Sequence, residues 1–306
     1  MRVELGRTGI WNWSYGGDCE QVRRVAAELE ELGYGAVWFP NRPDSFDLAA
    51  ELLGATRRIA VATGIVSIWE RPATEAARAY HAIAAAHPDR FLLGLGASHP
   101  HLVDSGQPGR YSRPVTRMSD YLDELDTAAR PVLPAGRVLA ALGRRMLALA
   151  RDRASGAHPY LGTAEHTRRA RQVLGPGPLL APELTVVAEA DPARARGIAR
   201  DFLSFPARFG LSTYLQTPNY AANLLRLGFT PGDLDGGGSD RLIDALVAWG
   251  SPEAIRDRIA QHHAAGADHV CIQVATATPE ALPLDEWRAL ATTLRLDPMT
   301  ATGRRR

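Results

Sequence analysis

Short apolar runs alternate with amphipathic stretches along almost the whole chain. Residues 3–5, 36–39, 59–65, 91–95, 138–142, 158–161, 184–188 and 270–274 each have the length and β-rich content of a buried strand. Between them, helical spacing of apolar positions predicts helices over 18–32, 47–56, 74–86, 115–129, 145–153, 163–174, 192–205 and 252–265. Asp18 is placed to cap the first helix and Gly33 to stop it, while His87-Pro88 ends the third. Strands that alternate with helices imply a parallel sheet, and about eight such units in 306 residues predict an α/β fold of the (β/α)8 TIM-barrel type with insertions. The competing doubly wound sheet calls for G-x-G-x-x-G after its first strand. Gly16-Gly17-Asp18 does not match it, and Gly94-Leu95-Gly96 lacks the third glycine and follows the fourth strand.

The material beyond this pattern falls at 97–114 and 211–250, the latter containing Gly236-Gly237-Gly238. With no linker or repeat in the chain, 1–300 reads as one barrel domain and 301–306, ending Arg304-Arg305-Arg306, as a frayed basic tail. The chain holds 35 basic and 34 acidic residues, a formal net charge of +1, which removes the electrostatic case for a nucleic-acid or membrane-surface partner. Every basic residue is arginine. That excludes an internal lysine Schiff base and a P-loop, which ends in Lys-Ser/Thr. Residues 1–9 lack an apolar signal region and no apolar run approaches the roughly 18 residues of a membrane span, so a cytoplasmic protein is expected. Cys19 and Cys271 form no CxxC and are expected as small core residues in a reducing compartment.

A barrel gathers its active site at the C-terminal ends of its strands. The residues there are Asn41-Arg42 after the second strand, Gly64-Ile65 and Trp69-Glu70 after the third, and Ser98-His99-Pro100-His101 after the fourth. Gly143-Arg144-Arg145 follows the fifth and His158-Pro159-Tyr160 the sixth. His99 and His101 have the spacing of a metal-binding pair, but few carboxylates accompany them at other strand ends. Gly143-Arg144-Arg145 opens a helix directly after a strand, where free N–H groups and guanidiniums suit an anion. His166 and the surface pair His262-His263 are expected to be structural, and Glu28, Glu30 and Glu31 a solvated helix face. Neither Gly-x-Ser-x-Gly nor a placeable carboxylate pair is present. The residues alone therefore describe a polar, acid-poor barrel mouth suited to a phosphorylated cofactor.

Leu32-Gly33-Tyr34-Gly35-Ala36-Val37-Trp38, the run from Ala62 to Pro72 and the run from Pro88 to His99 together resemble the luciferase-like superfamily of flavin- and deazaflavin-dependent oxidoreductases. Ala141-Leu142-Gly143 and Gly266-Ala267-Asp268-His269-Val270 extend the resemblance over nearly the whole chain, which looks most like the actinobacterial branch that uses coenzyme F420. The resemblance implies a cofactor lying across the barrel mouth against Asn41, Gly64, Ile65, Gly96, Ser98, Ala141 and His158, with its phosphate on Gly143, Arg144 and Arg145. It also implies a non-proline cis peptide, matching Gly64-Ile65, and a homodimer. Asn41-Arg42 stands where the sugar-phosphate dehydrogenase branch has Asp-His, and His99 where that branch has glutamate. His99 is then the acid/base candidate, expected to titrate near 6.5. The lysines that grip sugar phosphate in that branch cannot exist here, so glucose 6-phosphate is a poor substrate. Trp13, Trp69, Tyr111 and Tyr220 are expected around a small organic substrate. The implied activity is hydride transfer with F420. The alternatives are an FMN-dependent monooxygenase, a metal hydrolase built on His99 and His101, and a catalytically idle F420-binding protein.

Overall fold

The structure is a computed structural model that describes residues 3–104, 108–205 and 213–297. The basic tail at 301–306 lies outside the described residues. Eleven strands among the described residues are β1 Thr8–Trp11, β2 Ala36–Phe39, β3 Ala60–Thr63, β4 Val66–Ser67, β5 Phe91–Gly96, β6 Arg137–Leu139, β7 Gly156–Ala157, β8 Leu179–Leu180, β9 Glu183–Val187, β10 Ala248–Trp249 and β11 Val270–Val274. Their hydrogen-bonded order is β10-β9-β11-β1-β2-β3-β5-β6-β7-β8, with β4 beside β5. Each pairing is parallel. The sheet closes because β8 runs directly into β9. The Leu179 and Ala181 N–H groups donate to Ser155 and Ala157 on one side, while Leu180 and Pro182 carbonyls accept from Asp268 and Cys271 on the other. This is the expected barrel.

Strand residues alternate between two apolar layers, as the two-residue period of a strand requires. Trp11, Ala36, Trp38, Ala60, Ala62, Leu92, Val138 and Cys271 fill the barrel interior. Ile10, Val37, Phe39, Val61, Leu93 and Leu95 face outward and pack under the helices against Val25, Leu29, Leu52 and Leu122. Two bulky tryptophans inside force small neighbours, hence the alanines. At Gly94 a side chain is impossible, since a Cβ would lie 1.7 Å from the Thr63 carbonyl oxygen. The interior also holds two imidazoles. His269 accepts from Trp38 Nε1–H at 3.2 Å and donates from Nδ1 to the Gly6 carbonyl at 2.9 Å. His158 stacks on Trp38, centroids 4.3 Å apart.

The helices match their predicted positions within a few residues, and Asp18 caps the first by accepting the Gln21 N–H at 2.8 Å. Several expectations are corrected. The first strand is Thr8–Trp11 and not 3–5, because Gly9–Trp11 pairs with β2 and Thr8–Ile10 with β11, leaving Val3 and Leu5 as interior plugs. Cys19 is exposed at a helix start, whereas Cys271 is buried. Glu30 is half-buried: its carboxylate accepts the N–H groups of Arg57, Arg58 and Ile59 and so anchors the approach to β3. His262 is fully buried and bonded to the Thr167 hydroxyl. The second insertion includes the helices Pro218–Arg226, Pro231–Leu234 and Asp240–Leu246, with an apolar cluster of their own over Leu203, Leu215, Leu224 and Leu242.

Candidate active site

A cavity of about 820 Å³ opens at the C-terminal ends of the barrel strands. The eleven residues expected to hold the cofactor or carry the acid/base role line it, whereas Arg42 turns to Asp44 and does not. Asn41 follows β2, Gly64 and Ile65 follow β3, Gly96 ends β5, and Ser98 and His99 come next. Ala141, Gly143, Arg144 and Arg145 follow β6, and His158 follows β7. The Gly64–Ile65 peptide bond is cis.

The floor is rigid. Asn41 is held from both ends, its Oδ1 accepting the Ser67 N–H at 2.9 Å and its Nδ2 donating to Glu70 at 2.6 Å. His158 donates from Nδ1 to the Ala181 carbonyl at 2.7 Å, which leaves Nε2 as the unprotonated nitrogen. Burial pushes its pKa down to about 4, so the ring is neutral at pH 7. His158 Nε2 and Trp11 Nε1 are buried without hydrogen-bond partners. Both converge on Gly64, where a Cβ would lie 2.7 Å from Trp11 Nε1 and 3.0 Å from His158 Nε2. Glycine is required there by close approach, not by backbone twist.

His99 differs from its expected titration. Burial first, then the neighbouring His101, pushes its pKa down to about 4, against a hydrogen bond to Asn219 that raises it. At neutral pH it is an uncharged imidazole with a buried, unpartnered Nδ1. His99 and His101 stack ring on ring, centroids 5.7 Å apart and planes 8° apart. Among the described residues no three His, Cys, Asp or Glu side chains are grouped to hold a metal ion, so the metal-hydrolase alternative is not supported.

The polar wall is cationic. Gly143 caps the Arg144–Arg153 helix without a side-chain hydrogen bond. The first backbone bond runs from the Leu147 N–H to Gly143, which leaves the N–H groups of 144–146 without intrahelical acceptors. Arg144 and Arg145 are exposed and carry no ion pair among the described residues, whereas most arginines elsewhere are matched to carboxylates. Arg226, at the end of the Pro218–Arg226 helix, also lines the cavity.

Trp13, Tyr111 and Tyr220 line the cavity as expected. Trp69 instead stands behind Tyr111, ring centroids 5.8 Å apart, with its Nε1 donating to the Ala97 carbonyl. Sequence reasoning missed Tyr214 and Asn219, which reach the site from the insertion, and also Trp11. It also missed Glu183, a fully buried carboxyl that accepts the Leu161 N–H at 3.0 Å and the Thr185 hydroxyl at 2.7 Å. Burial raises its pKa to about 7. A lone acid inside the apolar run 179–187 was the available signal.

Comparison with known proteins agrees with this fold. Over 132 residues the chain is 28% identical to the N-acetyl-S-alkylcysteine monooxygenase of Bacillus subtilis (strain 168), a match spanning 40% of each protein. An F420-dependent secondary alcohol dehydrogenase, solved with an F420–acetone adduct, superposes with a TM-score of 0.69 at 12% identity over 97% of this chain and 99% of the other. The oxygenating constituent of 3,6-diketocamphane monooxygenase from Pseudomonas putida, solved with FMN, gives 0.63 at 13% identity over 94% and 96%. No described helix is long and apolar enough to cross a membrane. The sequence profile of the luciferase-like monooxygenases matches residues 5–269, most of the chain. The chain belongs to the luciferase-like monooxygenase family.

Proposed function

We propose that the protein is an oxidoreductase that holds coenzyme F420 across the barrel mouth and exchanges a hydride between it and a small organic substrate. The observation that carries this reading is the set of guanidiniums without an ion pair among the described residues, Arg144, Arg145 and Arg226, beside an open helix start on one wall of the cavity. FMN ends in a single phosphate, whereas the F420 side chain continues from its phosphodiester into several carboxylates. More than one cation is therefore complementary to the longer polyanion. A Cβ on Gly143 would meet nothing within 4 Å, so nothing crowds that helix start on its cavity side. Gly64–Ile65, Gly96 and Ala141 offer a surface nearly free of polar side chains for a flat ring, and Asn41 and His158 stiffen its edges. When bound, the deazaflavin supplies the carbon that gives or takes hydride. The protein's task is to hold the reacting carbons face to face and exclude water. Neutral His99 is placed to hydrogen-bond a substrate oxygen and accept its proton during oxidation, not to deliver one from an imidazolium at pH 7.

The second reading, an FMN-dependent monooxygenase, is favoured by the named activity of the Bacillus subtilis relative. Titrating the cofactor-free protein with oxidised F420 and with FMN, followed by tryptophan quenching, decides between them. Micromolar or tighter F420 binding with weak FMN binding supports hydride transfer. The reverse preference moves the protein to flavin oxygen chemistry, and binding of neither removes both readings.

A further inference from the structure

The aromatic side chains of the cavity form one continuous chain of ring contacts. Trp13 meets Trp11 at 5.4 Å and Trp11 meets Tyr160 at 5.3 Å. Tyr160 meets Tyr214 at 5.7 Å, Tyr214 meets Tyr220 at 5.8 Å, and Tyr220 meets His99 at 5.4 Å. The planes differ by 47° to 88° along this path, so the belt presents ring edges as well as faces. Two of its members, Tyr214 and Tyr220, come from the second insertion, which is therefore what completes it.

The belt is uncharged at neutral pH. Burial keeps the phenols of Tyr160, Tyr214 and Tyr220 protonated and the His99 imidazole neutral. The cations lie at the exposed rim. Within the belt the hydroxyls are not equivalent. Tyr160 donates to Gln273 Oε1 at 2.8 Å and is hydrogen-bonded to Tyr214. Tyr220 has no hydrogen-bond partner among the described residues, although its ring is buried beside His99, whose Nδ1 is also unpartnered. A buried phenol beside a buried orphan imidazole nitrogen, in an otherwise apolar wall, specifies one oxygen of a guest.

We propose that the substrate is a flat, uncharged, conjugated ring compound bearing a carbonyl or phenolic oxygen, whose rings pack on this belt and whose oxygen accepts from the Tyr220 hydroxyl, a phenolic O–H donating in turn to His99. The proposal rests on the oxidoreductase reading for its chemistry, but the recognition it describes does not need the cofactor. Edge and face contacts between aromatic rings add about 0.5–1.5 kcal/mol each beyond area burial, an advantage an alkyl chain of equal size does not receive.

The test is calorimetric titration of the full chain, without and then with F420, using 2-acetylnaphthalene, 2-ethylnaphthalene, 2-dodecanone and 2-naphthoate. The aromatic ketone is expected to bind about 10-fold or more tightly than the aliphatic ketone. It is expected to bind about 5-fold or more tightly than the hydrocarbon. The carboxylate should be the weakest of the aromatic ligands. Tyr220→Phe should abolish the preference for ketone over hydrocarbon and leave hydrocarbon affinity unchanged. Trp13→Leu, at a half-exposed position outside the packed core, should weaken both naphthalenes and spare dodecanone. Equal or tighter binding of dodecanone, or an unchanged ketone preference in Tyr220→Phe, overturns the proposal. Aromatic-ketone binding by a protein that takes neither F420 nor FMN keeps this inference and refutes the redox reading. F420 binding with an aliphatic preference does the opposite.

Discussion

The Glu183 contribution to stability should be lost as the solution turns from acid to neutral, and Glu183→Gln should remove that pH dependence. The carboxyl lies inside the barrel, fully buried, with the Leu161 N–H and the Thr185 hydroxyl as its hydrogen-bond donors. The groups facing it are Cys271 from β11, Tyr160 after β7, and Tyr214 and Tyr220 from the insertion, all neutral at pH 7. Two donors without a cation do not offset the desolvation of a carboxylate, so the pKa rises from 4.5 to about 7. A raised folded-state pKa means the contribution is fully present below the unfolded value of 4.5 and is lost as pH climbs through about 7. At 1.36 kcal/mol per pKa unit, the loss above pH 7 is about 3 kcal/mol. The buried histidines act in the opposite sense. His99, His158 and His269 are lowered to about 4 and His262 to about 3, and burial lowers His166 too, so they destabilise the fold in acid and are neutral in both states above about 6.5. Total stability is thus a poor probe, but the difference between variant and wild type cancels the histidines. Glutamine keeps an acceptor for Leu161 and carries no charge. Urea unfolding followed by tryptophan fluorescence should give equal stabilities near pH 4.5 and a variant about 3 kcal/mol more stable at pH 8. A difference that stays within about 0.5 kcal/mol across that range, or that shrinks as pH rises, refutes the reasoning.

Gly64→Ala should destabilise the fold by about 1–3 kcal/mol in the same urea assay, because its Cβ would lie 2.7 Å from Trp11 Nε1 and 3.0 Å from His158 Nε2, both on buried rings. The double substitution Arg144→Ala, Arg145→Ala should weaken F420 binding by about 10-fold or more, flatten its salt dependence and leave the unfolding midpoint unchanged, since both side chains are exposed and unmatched. Arg137→Met should cost about 2–4 kcal/mol by denaturant titration. It removes a fully buried guanidinium that serves Asp126 and the carbonyls of Val132 and Arg153. Affinity for an uncharged ketone should be level between pH 5.5 and 8 by calorimetry, because His99 is neutral throughout that window; an inflection near 6.5 that disappears in His99→Gln would falsify this assignment.

The barrel was legible because its determinants are periodic. Ala36–Phe39 and Val270–Val274 are strands at the positions their β-rich apolar runs predict, and Asp18 and Gly33 bound a helix by chemistry local to those residues. The first strand was misplaced because Val3 and Leu5 are as apolar as Ile10 and Trp11, and only pairing with strands about 30 and 260 residues away decides which segment joins the sheet. The same limit applies to charge. Glu30 and Glu31 are neighbours on one helix, yet Glu30 receives three backbone N–H groups from the turn before β3 while Glu31 is exposed. His262 reads as a surface residue from its own helix and is buried because the helix Ala164–Leu174 lies against it.

Within the site, legibility divides along the same line. The strand ends had to meet at one rim once the barrel was assigned, so Asn41, Gly64, His99, Gly143 and His158 were found from topology alone. Tyr214, Asn219 and Arg226 belong to a segment whose course topology does not dictate. The consequence is physical as well as predictive. The rim residues sit on strands braced by neighbours on both sides, and they supply the floor of the cavity and the open helix start. At its far end the insertion joins the sheet as β10, but at the rim it meets the barrel through side chains: Tyr220 on His99, Tyr214 on Tyr160, and the His99 hydrogen bond to Asn219. Changes in the insertion can therefore alter which molecule fits against the aromatic belt without moving the floor. His99 belongs to both halves, since its backbone is set by β5 while its pKa is set by burial beneath the insertion together with His101. A histidine that looked like a proton carrier at pH 7 is held neutral by the part of the chain whose course the sequence left open.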